Sequence, residues 1–171
     1  EKIDCVAYAC TSGTIAAGFN IIKKKVIKAK PNTKLTTPSS SSINALKKFK
    51  IKKIAGFTPY PKKLNNEVIE FYKKNKFIVT SNSYFDISSD IDIGKIDNKH
   101  LFKVLSKMKL NGAQALFISC TALPVLSILE KLENKLGIMV FSSNQTLIWD
   151  TLKSIGINDK INGFGKLLRS N

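Results

Sequence analysis

The chain carries Val6-Ala7-Tyr8-Ala9-Cys10-Thr11 near its start and Leu116-Phe117-Ile118-Ser119-Cys120-Thr121 in its second half. Each is an apolar run ending in Cys-Thr, followed by small residues and a pattern of helical period. A short continuous apolar run reads as a buried parallel strand, and in open α/β sheets ligands sit beyond the carboxyl ends of such strands. The repeated segment therefore predicts an α/β fold in which two thiols stand at the functional edge and face one substrate.

Outward from these runs, apolar stretches near 3–9, 51–57, 76–80, 114–119 and 137–141 read as strands. Segments near 13–29, 39–48, 61–75, 98–109, 122–135 and 144–154 have helical period. This alternation predicts βαβ units and doubly wound parallel sheets. Pro38 before Ser39-Ser40-Ser41-Ser42 has the chemistry of a first helical turn, and Pro61 and Pro124 fit the same role. Gly112, Gly137 and Gly156 fall where helices end. Residues 81–97 hold few helix formers and read as an irregular loop. The duplicated Cys-Thr segments predict two lobes: one over 50–142 with four strands, the other from 1–49 together with 143–171. This other lobe is expected to lack its first strand, and the opening without Met, almost directly into a strand, suggests that an upstream part is absent.

Composition narrows the function. The 171 residues are 43% apolar, enough for a substantial core, and no stretch reaches the eighteen or so apolar residues that span a bilayer. The start, Glu1-Lys2-Ile3-Asp4, lacks the layout of a signal peptide, so a cytoplasmic protein with no membrane partner is expected. The net charge of +16 raises nucleic-acid binding, but all of the 28 basic residues except Arg169 are Lys, and they are scattered over predicted helix ends and polar faces. Bidentate phosphate and base contacts favour Arg, so a solvated lysine-rich surface without a nucleic-acid partner is the better reading. Cys5, Cys10 and Cys120 have no CxxC spacing and no His pair nearby, which argues against a disulfide framework and against a metal site. Cys5 reads as a small buried hydrophobe.

The chemistry concentrates at the two remaining cysteines. Cys10 precedes Thr11-Ser12-Gly13-Thr14, a strand-to-helix turn whose free amides and hydroxyls suit a carboxylate and whose field favours a thiolate. Cys120-Thr121-Ala122-Leu123-Pro124 repeats the arrangement, with Thr121 as a further donor. Such a duplication fits a substrate that is acidic at both ends. Phe57-Thr58-Pro59-Tyr60-Pro61 ends another strand on the same edge; Tyr60 either donates to substrate or packs beneath the proline turn. Ser142-Ser143-Asn144-Gln145 closes the last strand and reads as a helix cap with room for ligand contact. His100 reads as a solvated or capping residue, Asp86, Asp90 and Asp92 lack metal-ligand spacing, and Trp149 belongs to a core stripe.

Together, Tyr8-Ala9-Cys10-Thr11-Ser12-Gly13-Thr14, Thr58-Pro59-Tyr60, Ile118-Ser119-Cys120-Thr121 and Ser142-Ser143-Asn144-Gln145 with Trp149 resemble the aspartate/glutamate racemase superfamily. The closest likeness is to the branch of maleate cis-trans isomerases, arylmalonate decarboxylases and ectoine-utilisation proteins. The resemblance implies two Rossmann-like lobes with a cleft between them, a small carboxylate or dicarboxylate as substrate, no metal or organic cofactor, and a homo-oligomer. It implies Cys10 as nucleophile and Cys120 as acid/base, with Thr11, Ser12, Tyr60 and Thr121 binding carboxylate oxygens. Racemase relatives use the same pair to move a proton between faces of an α-carbon, and decarboxylase relatives keep only the second-lobe cysteine. A carboxylate-binding protein without catalysis is the rival from another class.

Overall fold

The computed structural model describes residues 2–170. Strands β1 (Cys5–Ala7) and β2 (Lys34–Thr36) form a parallel pair. Strands β3 (Lys53–Thr58), β4 (Ile78–Tyr84), β5 (Ala115–Ile118) and β6 (Met139–Ser142) form a parallel sheet in the order β4-β3-β5-β6. The helices are α1 (Thr11–Ala17), α2 (Phe19–Ala29), α3 (Pro38–Lys48), α4 (Lys62–Lys74), α5 (Asp90–Gly94), α6 (Asn98–Leu105), α7 (Leu129–Leu136), α8 (Ser143–Ser154) and α9 (Lys166–Arg169). This is the expected α/β fold with parallel sheets.

The sheet's middle strands are the apolar runs of the sequence. Leu116, Phe117 and Ile118 of β5 are fully buried, as are Ile54, Phe57, Phe141 and Leu46. Burying each such side chain contributes about 1.5–3 kcal/mol. Tyr72 of α4 lies inside this core and donates to Ser42 of α3 at 2.9 Å. Helices α3 and α8 join the two sheets: Asp150 accepts from Ser41 at 2.8 Å and from the Asn44 amide at 3.1 Å, and α8 packs on both β1 and β2.

Local chemistry accounts for the helix starts. Thr37 caps α3 and forms a reciprocal capping box with Ser40, with Pro38 at the first position. Ser142 caps α8 by accepting from the Gln145 N–H at 3.2 Å.

Several expectations need correction. The helix expected over 13–29 is two helices, broken at Gly18, which adopts φ +83°. The loop expected over 81–97 contains the end of β4 and all of α5. Strand β4 is an edge strand with exposed polar residues, so a search for apolar runs stops short of it. Strand β2 is only three residues long and was not anticipated. Residues 122–125 do not open a helix at Pro124; they form a turn leading to a 3-10 turn, and α7 starts only at Leu129. Cys5 is half-buried rather than buried, with Ser154 donating to its sulfur at 3.5 Å. Among the described residues no helix is long and apolar enough to cross a membrane.

Candidate active site

Cys10 stands just beyond β1 and caps α1. Its backbone is extended (φ −135°), and its Sγ accepts from the Gly13 N–H at 3.2 Å. The thiol is half-buried, and Ser12 Oγ lies 3.9 Å from it. Gly13 must be glycine for this geometry. A Cβ there would sit 2.8 Å from Cys10 Sγ and 3.1 Å from the Tyr8 hydroxyl, so Tyr8 and Cys10 crowd the same small space.

Cys120 stands just beyond β5, two strands away from the sheet edge formed by β4. Its φ of +93° is unusual for a residue with a side chain and costs on the order of 1–3 kcal/mol. The conformation is held by Ser143: the Cys120 N–H donates to Ser143 Oγ at 3.0 Å. The turn then aims the N–H groups of Ala122 and Leu123 at the sulfur, repeating the Gly13 contact at Cys10. Cys120 is only 3% exposed. Burial pushes its thiol above the ordinary value, and the Asp90 carboxylate adds to this, against the hydrogen bond from Tyr60 and those two amides. Cys120 is therefore held as the protonated thiol, the form that can give a proton.

The Tyr60 phenol lies beside the Cys120 thiol, with the hydroxyls of Ser119 and Thr11 around it. Burial and the neighbouring sulfur raise it far above the ordinary phenol range, so it stays a hydrogen-bond donor. Tyr60 is 5% exposed beneath the proline turn, and its hydroxyl lies against Cys120.

Hydrogen bonds draw the two Cys-Thr segments together. Thr121 Oγ1 donates across to the Ala9 carbonyl at 2.9 Å. Thr11 Oγ1 donates to Ser143 Oγ at 3.0 Å, the same oxygen that holds the Cys120 N–H. The Asn144 amide donates to the Thr121 carbonyl at 2.9 Å. The hydroxyls of Thr11 and Thr121 are thus engaged within the protein, and Ser12 is the hydroxyl of the first turn that lines the adjoining cleft. That cleft, about 450 Å³, is bordered by Ser12, Tyr60, Lys63, Glu67, Ile87 and Asp90. Cys10 and Cys120 do not line it themselves; Ser12 and Tyr60, their side-chain neighbours, do.

Three participants were missed from the sequence or left as a cap. Tyr8 was part of the repeated motif but had no role of its own, and Ser143 and Asn144 were read chiefly as capping residues. Only the fold brings Ser143 to Cys120. His100 is peripheral: it is exposed and packs against Phe85 at 5.9 Å, with Asp97 accepting from its backbone N–H. Trp149 is buried between Lys48 and Lys153, as a core stripe requires. Among the described residues no group of three His, Cys, Asp or Glu side chains is placed to hold a metal ion.

The chain is similar to known proteins in sequence and in fold. A maleate isomerase from Geobacillus stearothermophilus is 25% identical over 98% of this chain and 70% of its own length. An arylmalonate decarboxylase from Bordetella bronchiseptica is 22% identical over 88% of this chain and 64% of its own. In three dimensions the maleate cis-trans isomerase of Nocardia farcinica, bound to TRIS, superposes with a TM-score of 0.90 at 19% identity, covering 97% of this chain and 71% of that one. A cysteine mutant of the Nocardia enzyme, carrying a covalently bound succinylcysteine intermediate, gives 0.91 at 19% identity over 98% of this chain and 72% of that one. The family model described as arylmalonate decarboxylase matches residues 6–168, which take in both Cys-Thr turns and every strand from β2 to β6. The shared fold, and a match running through both thiol-bearing turns, place the chain in the arylmalonate decarboxylase family, within the aspartate/glutamate racemase superfamily branch that also holds the maleate isomerases.

Proposed function

We propose that the protein is a cofactor-independent isomerase that moves a small unsaturated carboxylate between cis and trans forms with two thiols, as its maleate isomerase relatives suggest. The observation that carries this reading is the unequal pair of sulfurs. Cys10 is half-exposed and backed by the Gly13 N–H, whereas Cys120 is buried, protonated and hydrogen-bonded by Tyr60.

In the first step the Cys10 thiolate adds to one alkene carbon. A C–S bond forms, the π pair moves to the other carbon, and that carbon takes the proton of the Cys120 thiol. Rotation about the new single bond follows. The Cys120 thiolate then removes a proton from the same carbon, the double bond reforms, and the C–S pair returns to Cys10. Protons and electrons balance without an external reagent. Ser12 and Tyr60 line the cleft and would hold carboxylate oxygens, the single Tyr60 O–H turning to substrate from its contact with Cys120, with Thr11 and Thr121 fixing the turns that bear the thiols. Burial of Tyr60 keeps it protonated, as a donor to carboxylate must be.

A racemase would use the same pair without the addition step, and a decarboxylase would need only the proton of Cys120. The presence of Cys10 at a built turn favours the two-thiol reaction. The test is proton NMR of maleate in deuterated buffer with the wild type, Cys10→Ala and Cys120→Ala. The expected result is fumarate formation by the wild type alone, with each single variant reduced at least about a thousandfold. Full turnover by either variant would overturn the mechanism, and carbon dioxide release from an arylmalonate without alkene isomerisation would assign the decarboxylase reaction instead.

A further inference from the structure

Three donors stand around the Cys10 sulfur. The Gly13 N–H gives it a hydrogen bond at 3.2 Å, the Ser12 hydroxyl lies 3.9 Å away, and the Tyr8 phenol comes over Gly13 from the end of β1. The position that a Gly13 side chain would fill is 2.8 Å from Cys10 Sγ and 3.1 Å from the Tyr8 hydroxyl, so phenol and sulfur are separated by at most the sum of these distances. Glycine leaves that position open, as backbone does where a ligand approaches closely.

The Tyr8 phenol is free to act. Tyr8 is 38% exposed, and among the described residues its hydroxyl has no hydrogen-bond partner. Other donors of the two thiol turns are engaged: Thr11 donates to Ser143 and Thr121 to the Ala9 carbonyl. Since no hydrogen bond joins the Tyr8 hydroxyl to the sulfur, its role is not to hold Cys10. When a thiolate adds to an unsaturated carboxylate, the oxygens of the carboxylate on the attacked carbon come to rest close to the sulfur. From the placement of Tyr8 over Gly13 beside Cys10 Sγ, we infer that Tyr8 is a substrate-binding residue whose phenol donates to that carboxylate. The inference rests on the reading of Cys10 as the thiol that adds to substrate, and it gives that site a donor besides Ser12 and Tyr60. Charge develops on the other alkene carbon during the addition, so this hydrogen bond is made equally before and during the step. Its loss therefore falls on KM rather than on kcat.

Tyr8→Phe removes the hydroxyl and keeps the ring, and Tyr8→Leu removes both. Wild type and variants are compared in three ways: KM and kcat for maleate from the olefinic proton signals, calorimetric affinity for the saturated dicarboxylate succinate, and the rate at which iodoacetamide alkylates Cys10 without ligand, read by mass spectrometry. In Tyr8→Phe the KM and the succinate dissociation constant are expected to rise about tenfold, with kcat and the alkylation rate within about twofold of the wild type. Tyr8→Leu is expected to weaken succinate at least as much. Unchanged KM and succinate affinity, a changed rate of Cys10 alkylation in Tyr8→Phe, which would mean that the hydroxyl acts on the sulfur, or no binding of succinate by the wild type would overturn the proposal. Weaker succinate binding in Tyr8→Phe, with no turnover of maleate even by the wild type, would sink the isomerase reading and leave Tyr8 as a carboxylate donor.

Discussion

The hydroxyl of Ser143, at the start of α8, accepts the backbone N–H of Cys120 at 3.0 Å, and the same oxygen accepts from Thr11 Oγ1 at 3.0 Å. One buried oxygen thus fixes the strained turn of the second thiol and the residue next to the first. Ser143→Ala would leave a buried amide and a buried hydroxyl without partners. The expected cost is about 1–3 kcal/mol in denaturant unfolding. A larger proportional loss of activity should follow, because Cys120 would lose the contact that holds it at φ +93°. A variant that keeps full turnover would show that the turn holds itself.

Gly13 sets two effects against each other. Alanine in a helix is favoured over glycine by about 1 kcal/mol, but the added methyl would sit 2.8 Å from Cys10 Sγ. Gly13→Ala should therefore leave thermal stability within about 1 kcal/mol of the wild type while greatly slowing alkylation of Cys10, read by mass spectrometry of the peptide carrying it. Unchanged labelling would mean that the thiol moves aside without consequence.

Tyr60→Phe removes a hydrogen bond that lowers the Cys120 value, so that thiol should titrate at still higher pH. The alkaline limb of the rate profile, where the Cys120 proton is lost, should move upward in pH while the maximal rate falls. The linkage to stability has the same sign. The folded value lies above the ordinary 9.0, so this contribution is present below that value and is lost as pH rises past it towards the folded one. The wild type should therefore lose stability in that alkaline range more steeply than Cys120→Ala, as followed by the denaturant midpoint.

The thiols should also differ in access. Cys10 and Cys5 are half-buried and Cys120 is 3% exposed with a raised value. Brief iodoacetamide treatment near pH 8 should label Cys120 last among the three, and a carboxylate ligand should protect Cys10 more than Cys5.

Legibility in the sequence followed burial. The largely buried strands β3, β5 and β6 and the helices α3, α4 and α8 were readable, because continuous apolar runs and their caps are local signals. Edge strand β4 extended beyond its apolar start through Ser81, Asn82 and Ser83, whose polar side chains suit an exposed edge and imitate a loop. The break at Gly18 was missed because α1 and α2 on either side of it are both helical. At the site, the Cys-Thr repeat located both turns and Tyr60 located their neighbour. The partnership of Ser143 with Cys120 was not readable, since 23 positions separate them and only the pairing of β5 with β6 brings them together.

Strand β5 lies inside its sheet, flanked by β3 and β6, so Cys120 at its end cannot be shifted without disturbing both neighbours. Asp90, on the five-residue α5, and Lys63 and Glu67, on α4, line the cleft with exposed side chains. Under the proposed two-thiol reaction, the thiol that handles the proton is anchored while the exposed side chains of the cleft are cheap to exchange. A lineage built on this plan can change its diet by altering a few rim side chains and inherit the reaction unaltered.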